Sequence, residues 1–559
     1  MTHLKSTIDP GKSDSLVTRS HCQPSSLVTL LCILSAAVAV TALVVIAATR
    51  IELLFLKNYG FFFDPAAYYV HNIDLHRIYE QQGLPAALQF ELRANDRFPG
   101  RTLPSLLFAP LTLVQTTGHL WTEAPAMCGF LLLLGTTIHK RTGSLLFCLA
   151  AMALFAGIRF LYDPTVGVGA YWLDFPAACA LSSAALCLIR FSESKHRGWL
   201  LALGAFASIT ALFRWSSGFY LLSFLSLAVP GVLLKVYWRQ WGRLAAAVGL
   251  STLTALPGLA FTLYHWQSNT DYYKRFGFAF GAPISQSIYW TLKTIHELLG
   301  TIILAIVLLF IGANLVALVK RKADAMQVLL CQWLPVSIFL FVCLVVKAVD
   351  GIHPLVYFAP ALFVAAFCCL GPLGPNRMWW RGVSAALLIT AVATSALAYD
   401  SKRKVAAHPP PALQIQQKCN MALADLMVST KASSFTEFDD ETVFPHMEVF
   451  FNRGRYCGWV AMFSKHEMYM KEMAMHKGKT AQQMALGTYD KTLKEVDLVA
   501  VFTNPEDAFK RFDNQYSATV SNYMAKTLPN NPDWKFVGNV ESLHGRLSVY
   551  KNLKLITAH

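Results

Sequence analysis

LVTLLCILSAAVAVTALVVIAATR, residues 27–50, is the first stretch of this chain long enough to cross a bilayer. A span needs about 20 apolar residues, because an α-helix rises 1.5 Å per residue and the hydrocarbon core is about 30 Å thick. The run is too long for the apolar part of a cleavable signal and reads as a retained first span, with 1–26 as a tail.

Similar runs recur near 124–139, 144–160, 175–191, 199–213, 218–235, 244–264, 299–319, 327–347, 354–371 and 382–398, which makes eleven spans in 559 residues. Composition agrees: 55% of residues are hydrophobic and 14% charged, against roughly 25% charged in a soluble protein, and the mean hydropathy is +0.41. The net charge of +15 sits in short loops between apolar runs. No helix-turn-helix or RNA-binding signature accompanies it, which excludes a nucleic-acid partner. The expected fold is a multi-pass α-helical membrane protein of about 11 transmembrane helices, spanning 27–398, with a C-terminal soluble α/β domain at 399–559.

LPSLLFAPLTLVQTTGHLW (103–121) decides the orientation. If it lies in the interface rather than crossing, HKR (139–141), RFSESKHR (190–197), KVYWRQWGR (235–243), KRK (320–322), Arg377 and Arg381 share one side. That side then has thirteen Lys and Arg in short loops, against six opposite (Arg159, Arg214, Lys274, Arg275, Lys293, Lys347). The positive-inside rule puts the N-terminus in the cytoplasm and the C-terminus outside. Pro104 and Pro110 also argue against a straight span. Lys402, Arg403 and Lys404 oppose this orientation, but large translocated domains often ignore local charge.

Residues 51–123, 265–298 and 399–559 are then external. In the last of these, HPPP (408–411) reads as a linker, ALQIQQKCNMALADLM (412–427) as an amphipathic helix, and DLVAVF (497–502) and RLSVYK (546–551) as strands. Ten of the twelve cysteines lie in the N-terminal tail or apolar runs; Cys419 and Cys457 either pair across the external domain or remain two thiols.

After the first span comes FFFDPAAYYVHNIDLHR (61–77), which sets Asp64 among aromatic residues that read as an interfacial belt. Asp64, Asp74, Arg77, Arg93, Arg97, Arg101, Arg159, Asp163, Asp174, Arg214, Lys274, Arg275, Lys347, Asp350 and His353 all fall at the external face. Ionisable groups near a bilayer seek the bundle interior or a wet cavity, so these outline a pocket open to the outside and to lipid. An anion with a long apolar tail fits such a pocket, and a polyprenyl-phosphate sugar is such a molecule. Arg93 and Arg97 have i, i+4 spacing and line either a phosphate-facing helix or a solvated interfacial one. Arg214, in FRWSSG (213–218), sits between two apolar runs with little room to escape. Lys274 and Arg275, in DYYKRFGF (271–278), either grip a substrate or belong to an ordinary loop.

Breaking a sugar–phosphate bond requires the leaving phosphate to be neutralised by cations. The incoming hydroxyl needs a base, a task an aspartate such as Asp64 performs late in the transition state. One displacement with one base inverts the anomeric centre.

An early Asp after the first span, short alternating loops, eleven spans and a soluble C-terminal domain resemble the GT-C superfamily of membrane glycosyltransferases, in particular the protein O-mannosyltransferase and aminoarabinose transferase group. The resemblance implies that Asp64 is the base or acceptor-orienting group and that a second acidic position is Asp163 or Asp174, in YDPTVGVGAYWLDF (162–175). It also implies contacts to the lipid phosphate from Lys347, His353 and Tyr357, in KAVDGIHPLVYFAP (347–360). Two features depart from the group: Pro65 follows Asp64 where mannosyltransferases commonly carry Glu, and the WWDYG motif of oligosaccharyltransferases is missing.

The implied partners are a polyprenyl-phosphate sugar, membrane lipid, and a glycan, lipid or protein acceptor, with no cofactor and no metal. A transporter or flippase for a lipid-linked or anionic solute is the rival. It is expected to carry ionisable groups mid-span and matched repeats, whereas these carboxylates gather at span ends and no repeat is visible. A scaffold whose tail binds a partner is a third reading. No N-x-[ST] sequon occurs, which points to a bacterial inner membrane.

Overall fold

A computed structural model describes residues 26–59, 75–76, 78–93, 100, 106, 123–164, 167–168, 173–214, 217–237, 240–267, 283–321, 323–346, 355–370, 377–408, 411–432, 435–438, 496–504, 522–542 and 545–554. Each of the eleven apolar runs carries a helix: α1 (Ser26–Tyr59), α3 (Glu123–Thr142), α4 (Leu145–Phe155), α5 (Asp174–Ser194), α6 (Gly198–Phe213), α7 (Ser217–Tyr237), α8 (Trp241–Tyr264), α10 (Thr301–Val319), α11 (Ala325–Phe341), α12 (Phe358–Phe367) and α13 (Arg377–Ala407). Two more, α2 (Leu84–Arg93) and α9 (Ile284–Leu299), lie in the segments read as external. The 103–121 segment lies outside the described residues apart from Leu106.

Seven of these helices are long and apolar enough to cross a membrane. Others are shorter than their runs, most of all α12. Its ten residues rise about 15 Å, half a hydrocarbon core. A helix that stops there strands its last carbonyls where water cannot reach them, and side chains from neighbouring helices take over. Asn314 Nδ2 donates to Ala365 O (3.2 Å) and Ala366 O (2.9 Å), Gln332 Nε2 to Ala365 O (3.0 Å), and Arg141 Nη1 to Cys368 O.

Arg141 also belongs to a buried polar knot at this end of the bundle. Its Nε donates to Glu193 Oε1 (2.7 Å), Gln327 Nε2 donates to the same oxygen (3.1 Å), and Lys140 and Arg190 flank Glu193 Oε2 at 3.5 and 3.9 Å. The ends of α3 and α5 and the start of α11 are thereby tied together. Elsewhere the packing is backbone-close: a Cβ on Gly258 of α8 would come within 2.6 Å of Ser208 Cα on α6, and one on Gly204 of α6 would collide with the Ser251 carbonyl of α8. Small residues at such seams let membrane helices approach.

α13 continues to Ala407, past the span boundary expected at 398. Beyond it, α14 (Pro411–Ser429) covers one face of a four-stranded sheet through Leu423 and Met427, which pack on Leu498, Ala500, Leu547 and Val549. The sheet order is β1 (Phe435–Phe438), β2 (Leu498–Phe502), β4 (Gly545–Asn552), β3 (Trp534–Ser542); β1 runs parallel to β2 and the other pairings are antiparallel. The helix and two of these strands match the sequence expectation. β3, WKFVGNVES, escapes it because an exposed edge strand carrying Gly and Asn lacks alternation. Cys419 is buried against this sheet; Cys457 lies outside the described residues.

Candidate functional site

Three helices begin at one place. Asp174 is the first residue of α5, Ser217 the first of α7, and Tyr357 the residue that caps the start of α12. Arg214 ends α6 in an extended conformation (φ −157°, ψ 119°), which turns its side chain out of the helix just before α7 starts. Each helix start presents unsatisfied N–H groups and a partial positive charge of roughly half a unit.

The four side chains form one connected network. Arg214 Nη1 donates to Asp174 Oδ2, the Tyr357 hydroxyl donates to Asp174 Oδ1 (3.4 Å), and Ser217 Oγ hydrogen-bonds the Tyr357 hydroxyl. An ionised carboxylate only accepts, so with the Tyr357 proton directed at Asp174, the Ser217 hydroxyl supplies the proton of the remaining bond. Asp174 is 3% exposed and Tyr357 1%, whereas 23% of the Arg214 side chain is open. Among the described residues, one carboxylate and one guanidinium thus meet where three helices begin, with part of the Arg214 side chain open.

A second polar cluster sits at the same end. Asp163 follows the short 3-10 turn Arg159–Tyr162 and accepts from Lys402 Nζ near the end of α13. Glu52, deep in α1 and 5% exposed, lies within electrostatic reach of Asp163; its Oε2 has no hydrogen-bond partner among the described residues. The Phe160 and Phe175 rings meet edge to face at 5.5 Å and connect the loop bearing Asp163 to the start of α5.

Of the residues singled out by sequence, Asp174, Arg214 and Tyr357 come together, while Asp163 pairs with Lys402 instead. Arg93 is the last residue of α2, which is held to the end of α8 by a hydrogen bond between His265 Nε2 and Leu92 O (2.9 Å). Asp64, Arg97, Lys274, Arg275, Lys347 and His353 lie outside the described residues. Sequence reasoning passes over Ser217, Glu52 and Lys402 as site residues. Ser217 stands inside the FRWSSG motif, three residues after Arg214, and Glu52 lies just past the run marked as the first span. His76, ahead of α2, is buried, and that burial lowers its pKa to about 4.

No family profile matches the chain, and no curated protein sequence is significantly similar to it. Solved structures are similar in fold. ArnT from Cupriavidus metallidurans in the apo state superposes with a TM-score of 0.56 at 13% identity, covering 92% of this chain and 98% of that one. The same protein bound to undecaprenyl phosphate gives 0.53 at 14% identity, covering 91% and 97%. The expectation from sequence is met at the level of architecture: this chain is a multi-pass helical membrane protein with a fold similar to that of ArnT.

Proposed function

We propose that this protein is an integral-membrane glycosyltransferase that moves a sugar from a polyprenyl-phosphate donor to an acceptor hydroxyl outside the cytoplasm. The observation that carries the reading is the meeting of three helix N-termini with Arg214 and Tyr357 at one end of an apolar bundle. That arrangement suits a phosphate, and the surrounding spans suit its lipid tail. A protein of the same fold, ArnT, has been crystallised with undecaprenyl phosphate.

Arg214 neutralises charge building on the departing phosphate, and the helix N-termini add fixed dipoles that need no reorganisation. Lys347, His353, Lys274, Arg275, Arg93 and Arg97 are the remaining proposed phosphate ligands. Asp64 takes the proton of the attacking hydroxyl, and the displacement inverts the anomeric carbon. Asp174, with each oxygen already engaged, serves as the orienting carboxylate. The basic loops favour a cytoplasmic N-terminus and an external C-terminal domain, and the absence of an N-x-[ST] sequon favours a bacterial inner membrane.

Transfer from a radiolabelled polyprenyl-phosphate sugar in membranes tests this. Wild type is expected to turn over, with Arg214→Leu and Asp64→Asn each slowed by about 100-fold or more. Retained turnover in Asp64→Asn removes that residue from the chemistry. Movement of the labelled lipid between leaflets without sugar transfer favours the flippase reading instead.

A further inference from the structure

Tyr220, one turn into α7, has no part in the site as described, yet it is the residue against which Tyr357 rests. The two rings are parallel within 7°, with centroids 4.5 Å apart. On its other side Tyr220 meets the edge of Phe341 at 4.8 Å and 63°. Phe341 is the last α-helical residue of α11; a π-helical turn, Val342–Val346, follows it. Such turns recur beside functional sites because they re-aim what comes next.

Tyr357 makes no side-chain cap to its own helix, so the surroundings decide where its hydroxyl points. The Tyr220 face fixes the ring plane, and Ser217 Oγ and Asp174 Oδ1 fix the rotation within it. The Asp174 contact, at 3.4 Å, is a long hydrogen bond. A phosphate oxygen arriving beside Arg214 is a stronger acceptor at shorter range, and the phenol proton can change partners without any covalent step.

We propose that Tyr220 and Ser217 are positioning residues that aim the Tyr357 hydroxyl at the phosphate of the lipid donor. The proposal rests on reading this site as the donor-phosphate pocket.

The test is binding of undecaprenyl phosphate to the full chain in nanodiscs, together with thermal unfolding of each variant. Tyr220→Leu is expected to weaken binding about three- to tenfold, the range an aromatic pair supports. Tyr220→Phe, which keeps the ring face, is expected to recover most of that loss. In a Tyr357→Phe background, Tyr220→Leu should add less than about twofold, because the group it aims is already gone. A purely structural role would lower the unfolding temperature in both backgrounds and leave the two effects on Kd multiplicative. Ser217→Ala, carried through the same cycle, decides the matter should Tyr220→Leu fail to fold. Unaltered binding in both variants, or multiplicative losses, overturns this proposal alone. Absence of binding by the wild type overturns the donor-phosphate reading and this proposal with it.

Discussion

Lys402 donates to Asp163, so the span that leads into the C-terminal domain is fastened to the loop that leads into α5. The contact also bears on orientation. Lys402, Arg403 and Lys404 weigh against an external C-terminus when counted as free charges, yet Lys402 pairs with Asp163, and Arg403 and Lys404 pair with Asp400 at 3.2 and 2.7 Å. A paired cation exerts less of the pull that the positive-inside rule counts.

Removing Lys402 is expected to cost more than altering the carboxyl group nearby. Lys402→Met leaves half-buried Asp163 and buried Glu52 without that cation and should destabilise by about 1–3 kcal/mol. Glu52→Gln alters a carboxyl whose Oε2 has no hydrogen-bond partner among the described residues and should cost less than about 1 kcal/mol. Thermal unfolding in detergent ranks the two, and equal losses would refute the assignment.

At the opposite end, Glu193 is the carboxylate that Arg141, Arg190 and Lys140 share among the described residues. Glu193→Gln should therefore lower stability by roughly 3 kcal/mol, since it leaves the largely shielded Arg141 and Arg190 without that carboxylate. Adding Arg141→Met to that variant is expected to return part of the loss, a non-additivity readable from unfolding midpoints.

The α6–α8 seam predicts a contrast between two glycines of one helix. Gly258→Ala puts a methyl against the Ser208 backbone and should cost about 1–3 kcal/mol. An alanine at Gly249 meets nothing within 4 Å, so Gly249→Ala should be neutral or slightly stabilising. Similar midpoints for the two variants would contradict the close approach.

His76 predicts a pH dependence. Burial holds its pKa at about 4, below the ordinary 6.5, so the folded protein keeps the ring neutral while the unfolded chain takes up a proton. The stability contributed by the neutral ring is fully present above about pH 6.5 and is lost as pH falls toward 4, by up to about 3 kcal/mol. Unfolding at pH 7.5 and 5 should differ more in wild type than in His76→Gln.

The membrane architecture is legible in the sequence because twenty apolar residues form a signal along one dimension. Asp174 and Arg214 are legible for a related reason: charges at the ends of apolar runs have few places to go. Tyr220 is not, because a tyrosine near the end of a span looks like any interfacial aromatic until its ring is seen against another. The Asp163 ion pair is also hidden, since its partner Lys402 is 239 residues away and reads along the chain only as a topological charge. The brevity of α12 is hidden too: its run continues apolar to residue 371, and the amide side chains that satisfy its last carbonyls come from α10 and α11.

That brevity has a mechanical corollary. α5 and α12 connect the same two polar knots, yet α5 has 21 residues and α12 has 10, a shortfall of about 16 Å in rise. Side-chain reach makes up the difference, with the Tyr357 phenol extending from one end and the Arg141 guanidinium meeting the other. α12 is thus a short strut held between two outstretched arms. The two polar knots share α12 as a direct covalent link, with Tyr357 just before its first residue and the Cys368 carbonyl just after its last.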